Sequence, residues 1–212
     1  MKDILKLCVS LGIICFIAGS LLVFVKTKTD GPIQLAKQNT LQKKLSLVLP
    51  KETAKTGDPE KLDDISFYPA FDASNHQIAW VAEATTSKGF GGKIKILTGL
   101  SLQGEILGIV VVEHNETPGI GSQAAERKQQ KSLWKTLAGK SVANPFPPNS
   151  YLDSYAGKKL SNGAFIPTSG NANSITTISG ATISSKAIMD AVNKIQKTWQ
   201  KNSEHLQSLI TK

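Results

Sequence analysis

The 212-residue chain holds two cysteines, Cys8 and Cys15, and none beyond them. Their absence from the rest excludes a disulfide framework or a cysteine-based metal centre there. Histidine is also scarce. His76 and His205 stand far from His114, so although Glu113, His114 and Glu116 carry metal-ligating atoms, no second imidazole cluster supports a metal site. Charged residues make up 19% of the chain, too few for a disordered polyelectrolyte, and the 17 Gly and 9 Pro follow no collagen-like period. There is no G-x-x-x-x-G-K-[ST], which argues against a nucleotide-hydrolysing P-loop, and no repeat at solenoid periods. The length admits one ordinary domain with an appendage, not two large domains.

What is present begins with Leu7 to Val25, 19 residues without a charge. At 1.5 Å per residue such a helix just crosses a hydrocarbon core of about 30 Å. The small residues Ala18-Gly19-Ser20 are followed by five more apolar residues rather than a cleavage site, and Ile14 before Cys15 does not fit lipid attachment. The segment therefore reads as an uncleaved anchor. Cys8 and Cys15, seven residues apart, lie near one helix face, as apolar packing residues or as part of a face for a partner helix. Lys2 and Lys6 precede the span and Lys26 and Lys28 follow it, so the distribution of positive charge barely biases orientation.

The net charge is +9, and residues 26–212 keep 23 basic and 15 acidic residues of it. That excess suits an anionic membrane surface, a nucleic acid or a phosphorylated ligand. The lysines are scattered with no basic-aromatic stripe, so nucleic acid is not an expected partner. Residues 27–76 are polar and Lys-rich, with Ile33, Leu41, Leu45, Val48 and Leu49 at loosely helical spacing, and are expected to form a membrane-proximal helical segment. From Gln77 the texture changes. IAWVAEA, KIKILTGLSL and EILGIVVVEH, split by Gly89-Phe90-Gly91-Gly92 and Gln103-Gly104, predict three antiparallel strands. Gln123 to Leu137 is expected to be a helix buried along Leu133, Trp134 and Leu137, ended by an irregular loop from Asn144 to Asn149. Ala187, Ile188, Ala191, Val192, Ile195 and Trp199 predict an amphipathic helix. Strands in a block with helices outside them give an α+β class.

Two segments carry chemistry. In Val112 to Gly121, directly after the most apolar strand, Pro118 fixes a backbone angle while Gly119 and Gly121 permit positive φ and close approach of a ligand; the alternative is a plain Pro-Gly turn. In Ile178 to Ser185, small residues at 179–181 leave room around the Thr182 hydroxyl, and free amides at a helix start favour a phosphate. The alternative there is a helix end capped by Ser184 or Ser185.

Together these residues resemble the FMN-binding subunits of respiratory redox pumps, the G subunit of the Rnf complex and the C subunit of sodium-translocating NADH:quinone reductase. The shared features are the single N-terminal anchor, the Gly-rich hairpin Gly89 to Gly92, the strand ending in H-x-E-T-P-G-[LI]-G at His114 to Gly121, and S-G-A-T at Ser179 to Thr182. The resemblance covers the anchor and roughly Gln77 to Ile195. It implies three regions: a transmembrane anchor at 1–26, the helical segment at 27–76, and an FMN-binding domain at 77–212 whose antiparallel sheet is flanked by helices. It implies covalent FMN, joined by a phosphodiester to Thr182 and installed by a separate flavin transferase using FAD. Ser179, Gly180 and Ala181 would surround the attachment point, and Glu116, Thr117, Pro118, Gly119 and Gly121 would wall the flavin. One position departs: the family commonly has Asp six residues before the modified threonine, where this chain has Thr176.

The function implied is electron transfer within an ion-translocating, Rnf-type ferredoxin:NAD oxidoreductase, with the complex's other membrane and redox subunits as partners and no complete catalytic activity in this chain alone. The short chain and SGATISSKAI favour that over the quinone-reductase subunit. A stand-alone anchored FMN-binding electron-transfer or sensory protein is the alternative of another class. The resemblance places the chain in the bacterial inner membrane as a single-pass protein, with its domain on the extracytoplasmic side.

Overall fold

The computed structural model describes residues 2–127, 147–167 and 172–210, and the chain divides into two compact units, Met1–Gln42 and Lys43–Lys212. Helix α1 (Lys2–Val48) contains the expected anchor. Its candidate membrane span, Val9–Ile33, is 25 residues long and holds an 18-residue stretch of mean hydropathy 2.3, about 37 Å of helix and enough to cross a bilayer core. Ile13, Phe16 and Leu22 are exposed along it, the arrangement of side chains that face lipid. The helix does not stop at Lys26 but continues through the polar, Lys-rich stretch.

The second unit is built on a six-stranded antiparallel sheet. Its strands are β1 (Lys55–Thr56), β2 (Glu60–Leu62), β3 (Ile65–Phe71), β4 (Gln77–Gly89), β5 (Gly92–Ser101) and β6 (Ile106–His114), in the order β1-β3-β4-β5-β6 with β2 also on β3. The three strands expected from the sequence are thus β4 to β6. The expectation of a helical segment over 27–76 needs correction, because residues 55–71 join the sheet as β1 to β3. Ile65, Phe67 and Ala70 enter the core from β3, so the sheet begins well before residue 77.

Both sheet faces are covered, which is why β4 to β6 read as near-continuous apolar runs. On one face lies α4 (Thr182–Lys201), burying Ala187, Ile188, Ala191, Val192, Ile195 and Trp199 as its spacing predicts. Trp199 meets Phe67 at 6.1 Å between ring centroids, and Phe67 meets Trp80 edge-on at 6.4 Å. On the other face the last turn of α1 buries Leu45 and Val48, and Lys44 Nζ donates to the Val111 and Val112 carbonyls of β6 at 3.1 and 2.8 Å.

After β6 the described part of the expected helix from Gln123 is α2 (Ser122–Ala125), beyond which Glu126 is extended at φ −102°. The cause is side-chain competition for the chain leaving α2. Asn149 Nδ2 takes the Gln123 and Glu126 carbonyls, both at 2.9 Å, and the Arg127 guanidinium is held at 3.1 Å by the Ile109 carbonyl of β6. Leu133, Trp134, Leu137 and Asn144 to Phe146 lie outside the described residues. Asn149, expected in a loop, N-caps the short helix α3 (Ser150–Asp153), its Oδ1 accepting from the Tyr151 and Leu152 amides. A 3-10 turn (Leu160–Asn162) precedes α4, and α5 (Ser203–Ile210) follows it.

Candidate functional site

The β4–β5 hairpin, the loop after β6 and the start of α4 meet at one cavity of about 310 Å³. The hairpin supplies Phe90, the loop supplies Thr117, Ile120 and Gly121, and the helix start supplies Gly180 to Ser184. Two distant segments singled out in the sequence therefore form one site. Thr182 is the first residue of α4 and is exposed. The N-cap, Ala181, offers no side-chain hydrogen bond, so the first-turn amides carry no side-chain cap. The capping alternative fails for a specific reason. The Ser184 hydroxyl donates to Glu116 Oε2, and Ser185 Oγ accepts from the Ile178 amide at 3.2 Å.

Glu116 is buried behind this cavity, and its second oxygen, Oε1, accepts from the Gly91 amide at 3.1 Å. It ties the hairpin, the loop and the helix together rather than lining the space between them. Pro118, Gly119 and Ser179 also lie outside the lining, exposed nearby. Gly119 adopts φ +79°, the left-handed conformation anticipated for it, and its amide donates to Ser122 Oγ at 3.0 Å. Gly121 is different. It has φ −61°, and its need is space, since a Cβ there would run into the Glu116 carboxylate and Ser184 Oγ. Gly91 is constrained likewise, because a Cβ would strike the Asn115 carbonyl.

Phe90, Ile120, Ile183 and Ser184 line the cavity and are not among the site residues expected from sequence. The first three are exposed by 69%, 56% and 54%, a concentration of apolar surface around one opening that a buried-core reading does not explain. An aromatic flanked by glycines at a hairpin tip is the available signal for Phe90. Ile183 is recognisable as an apolar residue off the buried stripe of α4. Among the described residues no titratable side chain lines the cavity, so its lining offers no base for activating the Thr182 hydroxyl.

A larger cavity, of about 530 Å³, lies between the last turn of α1 and β6 and includes Lys44, His114, Glu126 and Arg127. Lys44, His114, Glu126 and Arg127 are engaged within the protein, while Glu113, which also lines the cavity, is exposed. Burial lowers the pKa of the Lys44 ammonium, which is occupied by two backbone carbonyls; Arg127 pairs with Asp153 at 2.7 Å, and His114 Nε2 lies 3.5 Å from Glu126. Among the described residues no group of three His, Cys, Asp or Glu side chains forms a metal site.

Three exposed apolar side chains, a hydroxyl and uncapped helix amides fit a flat aromatic ligand carrying a phosphate. Comparison with known proteins points to the same ligand class. Over 185 residues the chain is 28% identical to the G subunit of the proton-translocating ferredoxin:NAD(+) oxidoreductase complex of Clostridium ljungdahlii, covering 87% of this chain and 85% of that protein. It is 27% identical over 217 residues to the G subunit of the ion-translocating oxidoreductase complex of Pseudomonas aeruginosa, covering 97% and 92% of the two chains. With the G subunit of the Na(+)-translocating ferredoxin:NAD(+) oxidoreductase complex of Acetobacterium woodii it shares 25% identity over 219 residues, covering 96% and 95%. The sequence model of the FMN-binding domain matches residues 89–197, over half of the chain and the whole lining of the cavity around Thr182, and so this protein belongs to the FMN-binding domain family.

Proposed function

We propose that the chain is the FMN-carrying electron-transfer subunit of an ion-translocating ferredoxin:NAD oxidoreductase complex, with FMN joined through its phosphate to the Thr182 hydroxyl. The observation that carries this reading is the exposed Thr182 at an uncapped helix start, inside a cavity edged by Phe90, Ile120 and Ile183. The first-turn amides and helix dipole favour the phosphate, and the apolar side chains offer contact area to a fused ring. Bound FMN would supply the electron chemistry, and the protein would set its position and its surroundings.

An unassisted threonine hydroxyl is a poor nucleophile, and the cavity lining holds no base among the described residues. That fits attachment by a separate flavin transferase acting on FAD, as the family resemblance implies. Thr182 Oγ1 forms a bond to the flavin-side phosphorus, the pyrophosphate bond breaks, AMP leaves, and a base of the transferase takes the hydroxyl proton. The relatives named above are subunits of complexes, which supports partner subunits for this chain, and the 25-residue candidate span of α1 supports a single-pass membrane anchor.

Thr182→Ala tests the assignment. Co-expressed with the transferase, the wild type should gain the mass of one FMN and fluoresce in a denaturing gel. The variant should do neither and should melt within about 0.5 kcal/mol of the wild type, as a surface substitution does. A fluorescent, mass-shifted Thr182→Ala chain would place the attachment elsewhere.

A further inference from the structure

Glu116 is a buried carboxylate with no place in the chemistry so far. Its two oxygens are engaged by groups distant in sequence: the Gly91 amide at the tip of the β4–β5 hairpin, at 3.1 Å, and the hydroxyl of Ser184 in the first turn of α4. The surroundings are shaped to admit that carboxylate. Side chains at Gly89 and Gly121 would both run into it, and one at Gly91 would strike the backbone just before it. Two of the three segments that line the cavity are thus fastened to the third by a single side chain.

We propose that Glu116, acting through Ser184, is a positioning residue for flavin attachment at Thr182. This rests on the functional reading above and names a residue that acts behind the site. Two physical consequences follow from the pair. First, the Ser184 hydroxyl is drawn away from the end of its own helix, and with Ala181 at the N-cap the first-turn amides keep no side-chain competitor for a phosphate. Second, the turn bearing Thr182 is held against the hairpin bearing Phe90, so the hydroxyl and the apolar edge of the cavity keep one spacing before any ligand arrives. The covalent step is unchanged: the Thr182 oxygen bonds to phosphorus, the pyrophosphate bond of the flavin dinucleotide breaks, AMP leaves, and the transferase takes the proton. Glu116 touches none of these atoms.

The test uses the full chain with its transferase and FAD, following FMN incorporation against time by intact mass at a temperature well below each variant's melting point. Ser184→Ala removes the hydroxyl that Glu116 holds, while Ser184→Thr retains one. Labelling of Ser184→Ala should be slowed at least about tenfold, the scale expected when a reacting group loses its held geometry. Ser184→Thr should recover most of the rate. In the unlabelled chain, amide exchange in a peptide covering 178–186 should be faster for Ser184→Ala than for wild type, and restored in Ser184→Thr. Glu116→Gln should slow labelling in the same way; if it does not fold, the Ser184 pair decides. A lower melting point with wild-type labelling and exchange would reduce the contact to ordinary stability and overturn the proposal. Failure of the wild type itself to label would instead remove the functional reading, and this role with it.

Discussion

Asp190 shows how a single side chain joins the sheet to α4 beside the site. Its carboxylate accepts from Thr86 Oγ1 at 3.0 Å and from Lys88 Nζ at 2.5 Å, with Lys194 one helical turn on at 3.9 Å. Burial acts to raise its pKa, but the hydrogen bonds from Lys88 and Thr86 and the charges of Lys88 and Lys194 outweigh burial and hold it below the ordinary aspartate value. A carboxylate depressed in the fold contributes stability above its unfolded value, near pH 4, and that contribution is lost as pH falls through the lower folded value. Asp190→Asn should therefore lower stability at neutral pH by roughly 1 kcal/mol, Lys88 being largely exposed. Melting temperatures measured from pH 7 to pH 2 should converge with those of the wild type at the acid end. Parallel curves would mean that the charge of Asp190 contributes nothing.

At the scale of elements, α3 props the start of α4 from the side of the core. Tyr151 Oη donates to the Ser185 carbonyl at 2.5 Å, and Tyr155 Oη, 2.8 Å away, completes the chain by donating to Tyr151. The rings meet edge-on at 5.6 Å. Burial pushes both phenols well above their ordinary range; the hydrogen bond from Tyr155 lowers Tyr151 only in part. A phenol raised in the fold contributes fully below its unfolded value, near pH 10, and the contribution is lost as pH climbs through the folded value. Tyr151→Phe leaves the Tyr155 hydroxyl without its buried acceptor and should cost about 1–3 kcal/mol at neutral pH. It should also flatten the fall of the melting temperature above pH 10. An alkaline limb identical to the wild type would show that the pair does not titrate on unfolding.

For the whole molecule, a pair of fusions reads the membrane side of the second unit. Among the described residues one helix is long and apolar enough to cross a membrane. The extracytoplasmic placement that the family resemblance implies for the domain is compatible with an apolar segment able to start transfer and with the lack of cysteine beyond residue 15. Alkaline phosphatase fused after Lys212 should be active, and a fluorescent protein that folds only in the cytoplasm should stay dark in the same position. The reverse pair of results would put the domain inside and undo the proposed topology.

What the sequence determined by itself is what depends on local order. The apolar run of α1, the periodic stripe from Ala187 to Trp199 and the near-continuous apolar runs of β4 to β6 follow from the local pattern of their own residues. The two site segments were legible as glycine-, proline- and hydroxyl-bearing motifs at the ends of such elements. Tertiary structure decided the rest. Strands β1 and β2 are two and three residues long, too short to carry a period, and exist because β3 pairs with them. The break after Ala125 comes with hydrogen bonds that Asn149 and Arg127 make to distant parts of the chain. Glu116 was expected as a wall of the ligand site. It turns inward because its partners, 25 and 68 residues away in sequence, are brought beside it only by the folded sheet and helix. Side-chain direction at a loop is set by which donors the fold delivers to it, and no spacing within the loop records that.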